Sequence, residues 1–242
     1  MNPLRLAMWS GPRNISTAMM RAWENRGDCA VVDEPFYAHY LAHTGLDHPG
    51  REEVIAAGET DWRRVAARLV GPVPQGKAIW YQKHMTHHLL PHIGRDWLRA
   101  LTHVFLIRDP REVLSSYIRS RPQVTAEDIG VLQQLDIFEY VQQLCERAPT
   151  VVDATEFLKA PEPQLRALCE ELHIAFTPRM LSWPAGPRAS DGVWAPYWYE
   201  AVRRSTGFEH YRARAAEVPA AHRELIDAVM PAFEVLWARR LH

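Results

Sequence analysis

Lysine is nearly absent from this 242-residue chain: of 28 basic residues only Lys77, Lys83 and Lys159 are lysines. The cations are therefore arginines, whose planar fork suits oxyanions. Net charge is also missing. A formal value of −1 excludes bulk attraction to nucleic acid or to an anionic membrane, so any preference for anions has to be local. Cysteine is scarce. Cys29, Cys145 and Cys169 are odd in number, widely spaced and form no CxxC pair, which argues against a disulfide framework and for free thiols in a reducing compartment. No basic n-region precedes an apolar run at the N-terminus, and no stretch approaches the roughly 20 apolar residues of a membrane span. These absences predict a cytoplasmic protein. Repeats, low-complexity segments and charge runs are absent too.

What is there is ordinary globular composition, 47% hydrophobic and 24% charged, in a length that suits one domain over 1–242. Apolar β-branched runs predict strands at Leu4–Trp9, Cys29–Val32, Ala78–Gln82, Thr102–Ile107 and Thr150–Val152. Helical patterns fall between them at Ser16–Asn25, Thr60–Val70, Arg111–Arg119, Ala126–Arg147 and Glu162–Leu172. Continuous apolar strands alternating with helices indicate an α/β fold: a parallel sheet of about five strands, covered on both faces, in a core of about 1–160. Ligands in such sheets collect beyond the C-terminal strand ends, where SGPR, DEPF, QKH and RDPR stand. From about residue 177 to 242 a cover is expected, first rich in Pro and aromatics (Trp183, Trp194, Tyr197, Trp198, Tyr199). Helices over Phe208–Ala215 and Ala220–Leu241 then follow, the second kinked or split at Pro231.

The stretch LRLAMWSGPRNISTAMMR, Leu4 to Arg21, reads as a strand, a tight turn at Gly11–Pro12, and a helix for which Asn14 or Ser16 is a candidate cap. Free N–H groups at a helix start, with the helix dipole, form an oxyanion socket. Arg13 adds a forked cation, and Ser16 and Thr17 add hydroxyl donors. The lysine and second glycine of GxxxxGK[ST] are missing. A second segment, THVFLIRDPREVLSSY, places Arg108 at a strand end, Asp109–Pro110 as a helix start, and Ser116 two turns into the helix.

Together the two segments resemble the cofactor signatures of sulfotransferases that use 3′-phosphoadenosine 5′-phosphosulfate (PAPS). The resemblance implies a three-layer αβα fold of the P-loop NTPase type. It also implies that Ser10, Gly11, Pro12, Arg13, Asn14, Ser16 and Thr17 face the 5′-phosphosulfate, and that Arg108 and Ser116 hold the 3′-phosphate. Asn14–Ile15 replaces the family's small Ser-Gly pair, and asparagine tolerates left-handed backbone. Arg203, Arg204 and Gly207, in RRSTG, are a counterpart of the family's C-terminal nucleotide-covering loop; a helix ended by Gly207 explains them equally.

Sulfuryl transfer needs a base for the acceptor and cations on the departing phosphate. His84, seven residues before Pro91 as in cytosolic members, and Glu34, in a Glu-Pro step, are both base candidates, with His84 slightly preferred. Lys83 and Arg13 are the cations expected on the bridging oxygen and the sulfuryl group. Glu34 paired to Arg13 or Lys83 is the structural alternative. His84, His88 and His92, and likewise His39 and His43, share helical spacing, but no HExxH pattern is completed and no metal is expected. The partners expected are PAPS, its product PAP and a small-molecule acceptor, without nucleic acid or membrane and with a homodimer left open. A nucleotide kinase or NTPase using Asp33–Glu34 for metal, and a non-catalytic PAP-binding protein, are the alternatives.

Overall fold

The computed structural model describes residues 3–118, 123–212 and 218–242. Five strands, β1 (Leu4–Ser10), β2 (Cys29–Asp33), β3 (Ile79–Met85), β4 (Thr102–Ile107) and β5 (Thr150–Asp153), form one parallel sheet in the order β2-β3-β1-β4-β5, with helices on both sides. In register, Asp33 lies opposite Lys83 and Ile107 opposite Asp153. The strands are buried on both faces almost throughout, which explains why they read as unbroken apolar runs.

The helices are α1 (Ser16–Glu24), α2 (Tyr37–Thr44), α3 (Arg51–Ala57), α4 (Trp62–Leu69), α5 (Pro110–Tyr117), α6 (Ala126–Ile129), α7 (Val131–Cys145), α8 (Ala154–Lys159), α9 (Pro161–Glu171), α10 (Ala195–Trp198), α11 (Glu200–Arg204) and α12 (Arg223–Trp237). Among the described residues no helix is long and apolar enough to cross a membrane.

The chain folds as two compact units. The first comprises residues 1–8, 16–102 and 177–208, the second 9–15, 103–176 and 209–242. In the first, α1 packs on β2 and β3, and Trp23 stacks on Tyr81 at 5.6 Å. In the second, α12 packs on α7 and α5, and the Phe105 and Phe138 rings meet edge to face at 5.4 Å. Asp109 accepts from Arg111 N, and Pro110 occupies the first turn of α5, so this helix starts where its sequence predicts.

Several expectations are corrected. The helix expected over Ala126–Arg147 is two, because Gly130 adopts φ 79° between α6 and α7. Of the helix expected over Phe208–Ala215, residues 208–212 are not helical and 213–215 lie outside the described residues. The end of the Arg111–Arg119 helix at 119 also lies outside them. The last helix is confined to Arg223–Trp237 and runs unsplit through Pro231. The sequence pattern predicts no counterpart of α2, α3, α8 or α10. His84, His88 and His92 are not on one helix: His84 is on β3, His88 in the 3-10 turn Thr86–His88, and His92 in the loop beyond.

Candidate active site

The second unit holds the loop after β1. Ser10 closes the strand, fully buried. At Gly11 a Cβ would stand 3.1 Å from the carbonyl oxygen of Ile129 and 3.6 Å from Gln134 Oε1, so close backbone approach explains the glycine. Pro12 follows, and Arg13 then takes φ 56°. Left-handed backbone costs a non-glycine residue about 1–2 kcal/mol, and such cost gathers at functional sites. The left-handed residue is thus Arg13, where asparagine's tolerance had pointed to Asn14. Asn14 does other work: its Nδ2 donates to Leu106 O at 2.9 Å, and its Oδ1 accepts from Ile15 N at 2.8 Å. Gln134 Nε2 donates to the same Leu106 carbonyl at 3.0 Å. A Ser-Gly pair lacks the side-chain amide that makes both bonds.

The residues of the second segment meet this loop. Arg13 Nε donates to Ser116 Oγ at 2.8 Å, and Arg108 Nη1 donates to Arg13 O at 2.7 Å. Arg108 Nε also donates to Glu112 Oε2 at 3.0 Å, and Tyr211 donates to the other oxygen of Glu112 at 2.9 Å. Neither Glu112 nor Tyr211 is among the candidates that the sequence offers. The i, i+4 spacing of Arg108 and Glu112 was a usable signal; Tyr211 had none.

The first unit holds Ser16 and Thr17, which open α1, and a buried ionic cluster at the ends of β2 and β3. Lys83, 1% exposed, reaches Asp33 Oδ1 at 2.9 Å, Glu34 Oε1 at 2.6 Å and Tyr199 Oη at 2.7 Å. Tyr199 in turn donates to Asp33 Oδ2 at 2.6 Å and accepts from Trp194 Nε1 at 3.1 Å. Three ammonium protons thus face three oxygens. Burial alone would lower the Lys83 pKa, but the charges of Asp33 and Glu34 outweigh it and raise it well above its usual value. Burial raises the Glu34 carboxyl above the usual carboxylate range and Asp33 adds to the rise, while Lys83 opposes it. Glu34 is also held at φ 40°. Its Oε2 lies 3.9 Å from His88 Nδ1, and burial, with the neighbouring His87, keeps His88 neutral by lowering its pKa.

His84 is buried at 2% exposure, its Nε2 3.3 Å from Gln82 Oε1, with the Phe36 and Trp97 rings tilted against it at 6.1 and 6.2 Å. Asp33 and Tyr199 were not read as site residues. Asp33 appeared only in the kinase alternative, and Tyr199 only in the aromatic cover. That cover divides: Trp183, Trp194 and Tyr199 are buried, while Tyr197 and Trp198 are exposed. Arg203 lies 3.9 Å from Asp191, and Arg204 bonds Glu200 at 2.8 Å. The helix α11 ends at Arg204, and at Gly207 a Cβ would meet Leu181 O at 3.0 Å. Close approach, and not a helix stop, explains that glycine.

A family model described as "Sulfotransferase domain" matches residues 4–240. The chain is 33% identical over 236 residues, 97% of its length, to the "Branched-chain-amino-acid aminotransferase-like protein 2" of Arabidopsis thaliana. It spans about two fifths of that relative (41%). Two solved structures share the fold. A sulfotransferase from Alicyclobacillus acidocaldarius has TM-score 0.58 and 11% identity, with 100% of this chain and 98% of that one covered. A "Sulfotransferase Domain from the Curacin Biosynthetic Pathway" has TM-score 0.54 and 14% identity, covering 96% and 98%.

Proposed function

The chain belongs to the sulfotransferase domain family, and on that premise we propose that it transfers a sulfuryl group from PAPS to a hydroxyl or amine of a small-molecule acceptor, releasing PAP. The observation that carries the donor reading is the bonding of Arg13 to Ser116 and of Arg108 to the Arg13 carbonyl, which joins two segments about a hundred residues apart. Residues 1–242 are taken as one catalytic domain.

In this reading Ser10–Thr17 receives the 5′-phosphosulfate, and Arg108 and Ser116 receive the 3′-phosphate. An incoming dianion would draw Arg108 from Glu112, a half-buried carboxylate whose other oxygen is already held by Tyr211. Arg203, Arg204 and Gly207 remain candidates for the nucleotide cover, although both arginines already face carboxylates.

Glu34 is the base favoured by its surroundings. A carboxyl whose proton affinity is raised by burial is better matched to neutral pH than a free glutamate. The acceptor O–H or N–H gives its proton to Glu34, its oxygen or nitrogen bonds to sulfur, and the bond from sulfur to the bridging phosphate oxygen breaks as PAP leaves. Lys83 acts through Glu34, because its three protons are engaged by Asp33, Glu34 and Tyr199. That leaves Arg13 as the cation for the bridging oxygen. His84 is the second base candidate. The same cluster weighs against a nucleotide kinase, since the Asp33–Glu34 pair faces an ammonium where Mg²⁺ would bind.

Thermal shift with PAP, PAPS and ATP–Mg²⁺, followed by transfer of labelled sulfate from PAPS to an acceptor panel, tests the proposal. Ligand at about 100 times its Kd adds roughly 2.7 kcal/mol of stability. Stabilisation by PAP and PAPS is expected. A response to ATP–Mg²⁺ with none to PAP overturns it.

A further inference from the structure

Three histidines outside the ionic cluster converge. His39 and His43 lie at i, i+4 on α2 and so share one helix face, and His92 joins them from the loop after β3. One ring nitrogen from each falls within 4.8 Å of the other two. The ring centroids of His43 and His92 are 4.1 Å apart, and the Nε2 atoms of His39 and His92 are separated by 3.0 Å.

The tautomer of His39 follows from its other nitrogen. Nδ1 stands 2.6 Å from the carbonyl oxygen of Thr60, which only accepts, so Nδ1 carries the hydrogen. In the neutral ring the Nε2 lone pair then points at His92. A backbone carbonyl holding the remote N–H of an imidazole is the usual way a metal-binding histidine is oriented. His39 is buried, whereas His43 and His92 are exposed, which gives an ion a fixed inner ligand and an open approach from solvent.

We propose that His39, His43 and His92 form a binding site for one borderline divalent transition-metal ion, Zn²⁺ being the reference case, with solvent completing the coordination. Three neutral imidazoles select such an ion over Mg²⁺ or Ca²⁺, which take oxygen ligands. Tetrahedral Zn–N bonds of about 2.0–2.1 Å need nitrogens about 3.3 Å apart. The His39–His92 pair is already near that spacing, and exposed His43 closes the rest by side-chain rotation. A bound ion would tie α2, which begins three residues after Glu34, to the loop that follows Lys83 and His84. The proposal is independent of the donor assigned above and leaves the sulfuryl-transfer step without metal.

The test is calorimetric titration of the chelator-treated full chain with ZnCl₂, repeated on the His43→Ala/His92→Ala double variant and, as a control outside the three, on His222→Ala in the 3-10 turn Ala220–His222. One Zn²⁺ per chain is expected for the parent and for His222→Ala, with affinity at least about tenfold weaker in the double variant. Co²⁺ substitution should give visible absorption in the parent that the double variant lacks. Both substituted ligands are exposed, so the double variant's melting temperature in chelator should match the parent's. Absence of a one-per-chain site, or a double variant that titrates like the parent, overturns the proposal.

Discussion

Arg108 donates through Nη1 to the main-chain carbonyl of Arg13 at 2.7 Å. Arg13 reaches that position only by taking φ 56°, and its own Nε is directed at Ser116. Each guanidinium is thereby held by the segment that carries the other. If the loop receives the donor's phosphosulfate as proposed, a left-handed arginine with its head group anchored has met its conformational cost on folding and not on binding.

Arg108→Ala should abolish the thermal shift produced by PAP while lowering the unliganded melting temperature only slightly. The lost bonds are partly exposed, and such bonds are worth about 1 kcal/mol. Arg13→Gly separates stability from binding more sharply. Glycine accepts φ 56° without strain, and this relief offsets the lost bond to Ser116, so the unliganded protein should be about as stable as the parent, with PAP binding lost. Calorimetry and PAP titration check both.

Gly11→Ala should destabilise by about 1–3 kcal/mol, because the added Cβ falls 3.1 Å from Ile129 O and neither backbone can yield freely. Chemical denaturation measures it. A variant as stable as the parent would show that the loop relaxes.

Lys83→Met should be far more disruptive, costing about 3–5 kcal/mol by leaving Asp33 and Glu34 buried without their cation. Folded Lys83 holds its proton to higher pH than an unfolded lysine. Its ion-pair contribution is therefore fully present below about pH 10.5 and lost as pH rises through the folded value. Denaturation midpoints measured into the alkaline range should fall steeply for the parent and hardly at all for Lys83→Met.

Glu34→Gln should retain PAP binding and lose turnover by about 10²–10⁴-fold, the usual contribution of a general base. His84→Gln should lose much less. In the parent, kcat/KM should rise with pH along a limb lying above the ordinary carboxylate range, since only the ionised form of Glu34 can accept the proton and burial raises its pKa. If His84→Gln proves inactive and Glu34→Gln active, the two roles are exchanged.

Cys29 should resist alkylation at pH 8 in the folded protein, because burial pushes its thiol up to about 12, whereas half-buried Cys145 should react. Mass mapping after iodoacetamide treatment distinguishes them.

All five strands overlap the apolar runs that predicted them, since a strand buried on both faces reads as an apolar run, but β3 continues past Gln82 through Lys83 and His84 to Met85, where polar residues hide the strand's end. The starts of α1 and α5 were legible for a similar reason: turn and cap residues act within a few positions. Gly130 was not, because a glycine inside a helical pattern is compatible with either continuation or a break, and packing decided. Glu34 was visible as a carboxylate at a strand end, and Lys83 only as one of two cations, with Arg13, that could pair with it. Their third partner, Tyr199, is 116 residues from Lys83 and carried no local signal.

The sequence by itself determined the sheet, the turn after β1 and the start of α5 at Asp109–Pro110, because strand propensity, turn chemistry and capping are local in range. Only the tertiary structure decided that Arg13 and not Asn14 is left-handed, that Lys83 is saturated by Asp33, Glu34 and Tyr199, and that His92 meets His39 and His43. Those outcomes depend on burial and on contacts between distant segments, and desolvation energy has no counterpart in any short stretch of chain.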